Sequence, residues 1–562
     1  MSLVSRFASL VAARRVTIAV WIAIILFIAA LISFNRTAQA RTVAALGSSS
    51  PAVRDQTVRG LVENGKLTDV LAATQDPNSD PKSEQNLESI TLRQSAAQSV
   101  NRLAASHAVS DKQALDTLFL LRKDADSKVK DTATAGIAAL GAKSNANLDL
   151  IVGNLSNGDP DIRSAAVDAL GKIGGDKVAK RVGPLMQLPD AQDSAQAAML
   201  ALGGTAVPYL LAHLDAPSRA FRQQVLGMLG QIASPVSVPA LVKAASDPDP
   251  SVRRLAQSAL ADTVINNFGA LQKAQATLGT DAKDAAKNPA DLDADKAAIA
   301  KDAASFVQTK VAAPALVATL RNGEADSQAR TQSALALGRI GGAQSVAALV
   351  ASLGDYDALV RSAALQGVQS AGPEATGQLT AALTQGGEDT RASAAQALGA
   401  IGGPGAIGTL GNLVGNNKAS PAVREAAVQG LGQSGSPLAV PILVAALADP
   451  DGGVVGAASD ALLTPSLEEA AVPRLVASFG QPAPIPFNAS QTLARMGNLP
   501  VPALRTAAAS ANAQVQTWAA VTLGQTDSKD PGITQSLTPL TRSANTHVQY
   551  AATQALERLA GS

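Results

Sequence analysis

There is no cysteine among the 562 residues. That excludes disulfides, thiolate zinc sites and cysteine nucleophiles. Aromatic residues make up 2% of the chain, with two tryptophans. That is poor material for a globular core anchored by large rings, and good material for closely packed helices. Charge of one sign is not in surplus either: 46 basic and 45 acidic residues give a formal net charge of +1. Without a basic stripe to neutralise phosphates, nucleic acid is not an expected partner. The three histidines, His107, His213 and His547, are far apart and belong to no His-Glu dipeptide or HExxH pattern. No metal or other cofactor is expected on that basis. No GxSxG supports a serine nucleophile. The glycines of "LGKIGG" and "LGRIGG" close helical stripes instead of following strands, so they are not phosphate loops. The chain is not expected to be an enzyme.

What is present begins with "VTIAVWIAIILFIAALISF" (16–34), nineteen uncharged residues, close to the ~20 a spanning helix needs. Arg6, Arg14 and Arg15 precede it. The excess of basic residues on that side predicts a cytoplasmic segment 1–15, an anchor over 16–34 and a translocated remainder. A cleaved secretory signal is the competing reading, since "AQA" at 38–40 has the small residues of a cleavage site. Against it, the apolar run exceeds a signal core, and "TVAAL" (42–46) reads as the first helix of a repeat array that a cut at 40 would damage.

The rest of the chain repeats itself. "DPDIRSAAVDALGKIGG" (159–175) returns as "DPDPSVRRLAQSALADT" (247–263), "DYDALVRSAALQGVQSAG" (355–372) and "GGEDTRASAAQALGAIGG" (386–403). Alignment on the basic residue gives fifteen reference positions: Arg54, Arg93, Lys130, Arg163, Ala195, Arg222, Arg253, Arg330, Arg361, Arg391, Arg424, Val455, Pro486, Gln516 and Gln549. The period near 31 is a solenoid signature. Each copy holds two helices. In the fourth, Ile162, Ala165, Ala166, Ala169, Leu170 and Ile173 form one helical stripe, with Asp161 or its neighbours as cap and Gly174-Gly175 as stop. The preceding helix opens with proline in "VPYLLAHL" (207–214), "VPALVKAA" (238–245), "VPILVAAL" (440–447) and "VPRLVASF" (472–479). One such pair cannot bury its own stripe, so pairs must stack.

"VPALVKAASDPDPSVRRLAQSALA" (238–261) resembles the short HEAT-like repeat of the bilin-lyase type, and the resemblance runs over about 41–561. It implies an all-α fold: an α-solenoid of about 15 HEAT-like helix pairs, here with an N-terminal transmembrane helix and one helical insertion. It also implies that turn aspartates and second-helix arginines stack into a ladder, with the second helices lining the concave side. Carried over, Arg163, Arg222, Arg253, Arg330, Arg361, Arg391 and Arg424 are structural ladder members or, failing that, partner contacts. Di-iron hydroxylases with HEAT-like repeats use several His-Glu dipeptides, which this chain lacks. Lyase activity would need an aromatic-walled pocket, and beyond residue 34 the chain has one tryptophan, Trp518, and three tyrosines.

The period breaks once, between Arg253 and Arg330. Repeats over 41–261 and 311–562 thus flank a surplus at 262–310 whose two Ala-rich halves meet at "NPAD" (288–291). Two readings stand: a helical hairpin carrying recognition, or a solvated elaboration or linker. A polar stretch at 74–89 reads as a connecting loop, and "GQPAPIPF" (480–487) as a rigid exposed loop. The function these features predict is a membrane-anchored scaffold of the bacterial envelope, periplasmic or extracellular, binding a protein partner or an envelope polymer. A HEAT-like lyase or enzyme subunit holding a small ligand, and a mechanical spacer, are the alternatives.

Overall fold

Several copies of the repeated sentence begin with a start signal written in polar side chains. Asp247 Oδ1 accepts the backbone N–H of Asp249 at 2.8 Å, and Asp249 Oδ1 in turn accepts the N–H of Ser251 at 2.8 Å. The first carboxylate shapes the turn and the second caps the helix, a cap being worth about 1 kcal/mol. The same two-step arrangement is made by Asp124 and Asp126, Asp355 and Asp357, and Asp449 and Asp451. Asn157 and Asp159 do it with an amide first, and Ser510 and Asn512 with a hydroxyl. The cap of the fourth repeat is thus Asp159, two residues before the aspartate considered first.

The computed structural model describes residues 38–74, 84–283 and 289–561, and among these every regular element is helical. The expected anchor at 16–34 lies outside the described residues. Each of the fifteen reference positions falls in a helix, and in thirteen it is the fourth residue of that helix; Arg93 and Pro486 are the exceptions. At the far end Gly174, Gly341 and Gly402 take φ of +66°, +68° and +70°, the left-handed stop that glycine adopts without strain. The described chain is an all-α repeat solenoid in two compact units, divided after Met228.

Within a repeat, the shorter first helix lies against the second. Helices Val207–Leu211, Val238–Ala244 and Val440–Ala446 carry proline in their first turn as expected. The fourth case differs: the helix runs Glu468–Ala477, with Pro473 inside it. Glu468 and Glu469 favour an added N-terminal turn, and proline there removes the donor that would bond the Glu469 carbonyl. The polar stretch at 74–89 is also partly helical, because Glu84–Ala105 starts inside it; residues 75–83 lie outside the described residues.

Between repeats, second helices meet backbone to backbone. The residue eight beyond one reference position touches the residue six beyond the next. A Cβ on Gly399 would stand 2.3 Å from the Cα of Gly430, and one on Gly338 would stand 2.4 Å from the Cα of Gly367. Gly432 meets Ala461, and Gly524 meets Ala555, in the same way. In the first unit Gly171 lies against Ala201. The stripe of the Arg163 repeat is buried at Ala165, Ala166, Ala169 and Leu170, with nothing larger than leucine.

The extra sequence is two helices. Pro250–Asp281 continues the second helix of the Arg253 repeat without a break, and Pro289–Thr309 packs back along it. Phe268 and Phe306 meet edge to face at 5.1 Å near its base. From 265 to 305 no described residue is buried.

Gly399→Ala should force those two helices apart and lower stability by about 1–3 kcal/mol. Gly408→Ala, in the interior of Pro404–Val414 where nothing lies within 4 Å, should instead raise it by about 0.5–1 kcal/mol. Thermal unfolding followed by circular dichroism at 222 nm compares the two; equal shifts would contradict the backbone contact.

Candidate interaction surface

The arginines that mark the repeats fall into two kinds. Arg163 donates from Nη1 to the carbonyls of Asn157 at 2.7 Å and Gly158 at 3.2 Å. Arg222 reaches Ala216 and Pro217 at 2.8 and 3.3 Å, and Arg253 reaches Asp247 and Pro248 at 2.7 and 3.4 Å. Arg361 bonds the Asp355 and Tyr356 carbonyls at 2.8 and 3.2 Å, and Arg391 Nε bonds Gly386 at 2.8 Å. The acceptors lie six and five residues upstream. Each half-buried guanidinium therefore folds over the turn that starts its own helix and satisfies carbonyls left open there. A hydrogen bond of this kind contributes about 1 kcal/mol.

Arg330 and Arg424 reach forward instead. Arg330 Nη1 lies 2.7 Å from Asp355 Oδ2, its guanidinium stacked 4.7 Å from the Tyr356 ring centre. Arg424 grips Asp449 with Nε and Nη2 at 2.8 and 2.7 Å, and also donates to the Ala419 carbonyl. Arg93, outside the seven candidates, pairs with Asp124 at 2.7 Å. Arg330 is 1% and Arg424 4% exposed, so neither offers itself to a partner. In each forward pair the carboxylate stands six residues before the next reference position. The corresponding positions after Arg163, Arg361 and Arg391 are Pro189, Gln385 and Lys418. The ladder implied by the resemblance is thus made of separate rungs; an aspartate in the following turn is present at each but does not suffice, since Asp247 holds that place after Arg222, which stays on its own turn. The Arg424 hydrogen bond holds the Asp449 carboxyl below its ordinary range despite burial, which works the other way.

Solvent meets the second helices at the first, fifth and ninth residues past the reference. The fifth position is glutamine in Gln98, Gln366, Gln396, Gln429, Gln491 and Gln554, all but half-buried Gln396 exposed. Gln429 Nε2 donates to Glu425 Oε1 at 3.1 Å, and Gln396 lies 3.5 Å from Gln429. A groove of about 530 Å3 runs between the Arg424 and Val455 second helices, lined by Glu425, Gln429, Gly456 and Asp460 among others. This amide row escaped the sequence reading because its signal appears only once the fifth offset is compared across copies. Asp262, on the same face of the second unit, has its carboxyl pushed up by burial, with Ser258 as its hydrogen-bond donor opposing the shift.

The cavity of about 640 Å3 between Pro404–Val414 and Val440–Ala446 has one ionisable lining residue, Asp449, which is committed to Arg424. Among the described residues no three histidine, aspartate or glutamate side chains gather in a way that could hold a metal ion. His213 stacks on Tyr209 at 4.2 Å, with Nδ1 2.8 Å from the Tyr209 carbonyl. The proline-rich segment 480–487 is shorter as a loop than expected: helix Ile485–Arg495 takes its last three residues, and Gln514 Nε2 ties down the Gln481 carbonyl at 2.7 Å.

Residues 115–203, 207–291 and 376–463 match the family of HEAT repeats. No curated protein matches the sequence. Among solved structures, the chain is similar to human deoxyhypusine hydroxylase in complex with glycerol, at 19% identity over 51% of this chain and 95% of that one, with a TM-score of 0.20. It is similar to importin beta at 16% identity over 93% and 71%, with a TM-score of 0.37. It is also similar to Kap121p bound to RanGTP at 13% identity over 94% and 56%, with a TM-score of 0.38.

Asp449→Ala should cost about 3–5 kcal/mol, since Arg424 is left buried without its counter-charge. Arg253→Ala should cost about 1–2 kcal/mol for two partly exposed hydrogen bonds. Urea unfolding of both variants separates rung from clamp. The acid dependence has a definite sign. A lowered folded pKa gives stability that is present above the unfolded carboxyl value, about 3.9, and lost as pH falls through the folded one. Asp449→Asn should therefore flatten the loss of stability below pH 4. Asp262→Asn, at a carboxyl shifted upward, should raise the melting temperature at pH 7 and lose that advantage in acid.

Proposed function

We propose that this chain is a membrane-anchored scaffold working outside the cytoplasm, with 16–34 as a single-pass anchor and the HEAT repeats as a platform for a protein partner. The observation that carries this is the exposed face of the second helices, where small residues and amides recur at fixed offsets in successive repeats. HEAT solenoids typically bind protein partners, and such a face suits a partner that makes many shallow contacts. The 262–310 helices add a second contact element: a hairpin with no buried residue over its distal part gains nothing for the core it extends from. The short bilin-lyase-type repeat is the subclass we assign, on the "SDPDPSVRRLAQSALA" pattern, without lyase or other enzymatic activity. The lack of converging ionisable groups in the 640 Å3 cavity speaks against a small-ligand enzyme.

Crosslinking in intact cells, followed by solubilisation and purification of the full chain, should recover one partner at stoichiometric level. Replacing 274–298 by a short Gly/Ser linker, which keeps Phe268 and Phe306, should weaken that recovery at least tenfold. No stoichiometric partner under several crosslinking chemistries would sink the scaffold. Resistance of the full chain to carbonate extraction tests the anchor; release of a shortened soluble form would show a cleaved signal instead.

A further inference from the structure

The residue six before the reference position is aspartate in four repeats and asparagine in one, Asn157, which glycine follows. An asparagine before glycine is open to attack by its own main chain. The next backbone nitrogen is the nucleophile, the side-chain amide carbon is the target, and glycine adds no side chain to keep them apart. Gly158 is exposed, a Cβ on it would meet nothing within 4 Å, and among the described residues its N–H has no acceptor. Arg163 Nη1 donates to the Asn157 carbonyl at 2.7 Å. That oxygen shares a peptide unit with the Gly158 nitrogen, so the guanidinium favours charge on the unit and makes its N–H more acidic. The Asp159 N–H donates to Asn157 Oδ1 at 3.0 Å and polarises the carbon under attack, as an oxyanion donor does. Rotation about the Asn157 Cα–C bond, at ψ 140° in this turn, carries the nitrogen to the carbon. Asn157 and Gly158 lie between helices Asn154–Ser156 and Pro160–Ile173, so the rotation disturbs no bond within either.

We propose that Asn157 deamidates itself on the folded protein, and that the carboxylate it gains completes a rung with Lys130. Water is the only co-reactant. The Gly158 nitrogen bonds to Cγ, its proton leaves with the side-chain nitrogen as ammonia, and a five-membered succinimide remains. Water adds at Cγ and cleaves the new C–N bond, which restores the main chain and leaves aspartate. Addition at the neighbouring carbonyl leaves isoaspartate instead, with the main chain longer by one methylene. The aspartate stands where the other rungs are made: Asp124, Asp355 and Asp449 hold the equivalent position and take Arg93, Arg330 and Arg424 from the repeat before. The reference residue before Asn157 is Lys130, half-buried, with no partner for its ammonium among the described residues. Arg222 passes over Asp247 because carbonyls of its own turn already engage it; Lys130 makes no such bonds.

The test is incubation of the purified full chain in mildly alkaline buffer, with digestion and mass spectrometry of the three Asn-Gly sites. Asn64 lacks both donors, and its Gly65 N–H is committed to the Val62 carbonyl at 3.1 Å. Asn322 has neutral donors on both oxygens, the N–H groups of Ala325 at 2.9 Å and Glu324 at 3.1 Å. Conversion at Asn157 should exceed that at Asn64 at least tenfold, with Asn322 between them, and the three rates should converge in urea. A smaller lead over Asn64, Asn322 ahead of Asn157, or an order that survives in urea overturns the self-catalysed step. For the product, Asn157→Asp should raise the midpoint of urea unfolding, and Lys130→Gln should cancel that gain. No gain, or a gain that persists in the double variant, overturns the rung.

Discussion

Consecutive second helices touch through their backbones, and the composition of the whole chain follows from that contact. Gly399 on Gly430 and Gly338 on Gly367 leave no room for a single methyl group. Where helices are so close no ring fits between them, and the facing residues are glycine and alanine; rings such as Phe119, Phe221 and Phe479 are buried elsewhere in the core. Close approach also shortens the distance over which dispersion acts, so small residues still gain a dense core. The short period has the same origin: two helices of ten residues or so suffice when their neighbours sit within reach.

Much of this was legible. The spacing of reference positions located fifteen helices, and the caps and glycine stops were visible as acidic turns and Gly-Gly pairs. The fate of the arginines was not. Their acceptors are mainly backbone carbonyls, which carry no residue identity, so a side chain folding back over its own turn leaves no trace in a pattern of letters. An arginine that reaches forward needs an aspartate in the next repeat's turn, as Arg330 on Asp355 and Arg424 on Asp449 show, yet Arg222 has Asp247 there and stays on its own turn. A single repeat read alone cannot reveal that. Pro473 failed the first-turn rule because two glutamates upstream extended the helix past it.

The division of labour across each second helix explains how a uniform core leaves room for function. The positions facing the neighbour are fixed by contact at the sixth and eighth residues past the reference. The first, fifth and ninth face solvent and are free to change. Glutamine fills the fifth position in six repeats, acids line the groove around Glu425 and Asp460, and rings stand at the first position in Phe487 and Tyr550. Binding chemistry therefore varies along the chain without disturbing the packing beneath.

The separate rungs have a mechanical consequence. A chain drawn out from its ends would yield one helix pair at a time, because each repeat contacts only its neighbours. Most boundaries would open by peeling small apolar contacts apart. At Arg93–Asp124, Arg330–Asp355 and Arg424–Asp449 an additional buried ion pair must be exposed to water before the next pair can go. Extension would then proceed in unequal steps, with those three boundaries as the catches of a ratchet that lets the rest of the array act as a compliant spring.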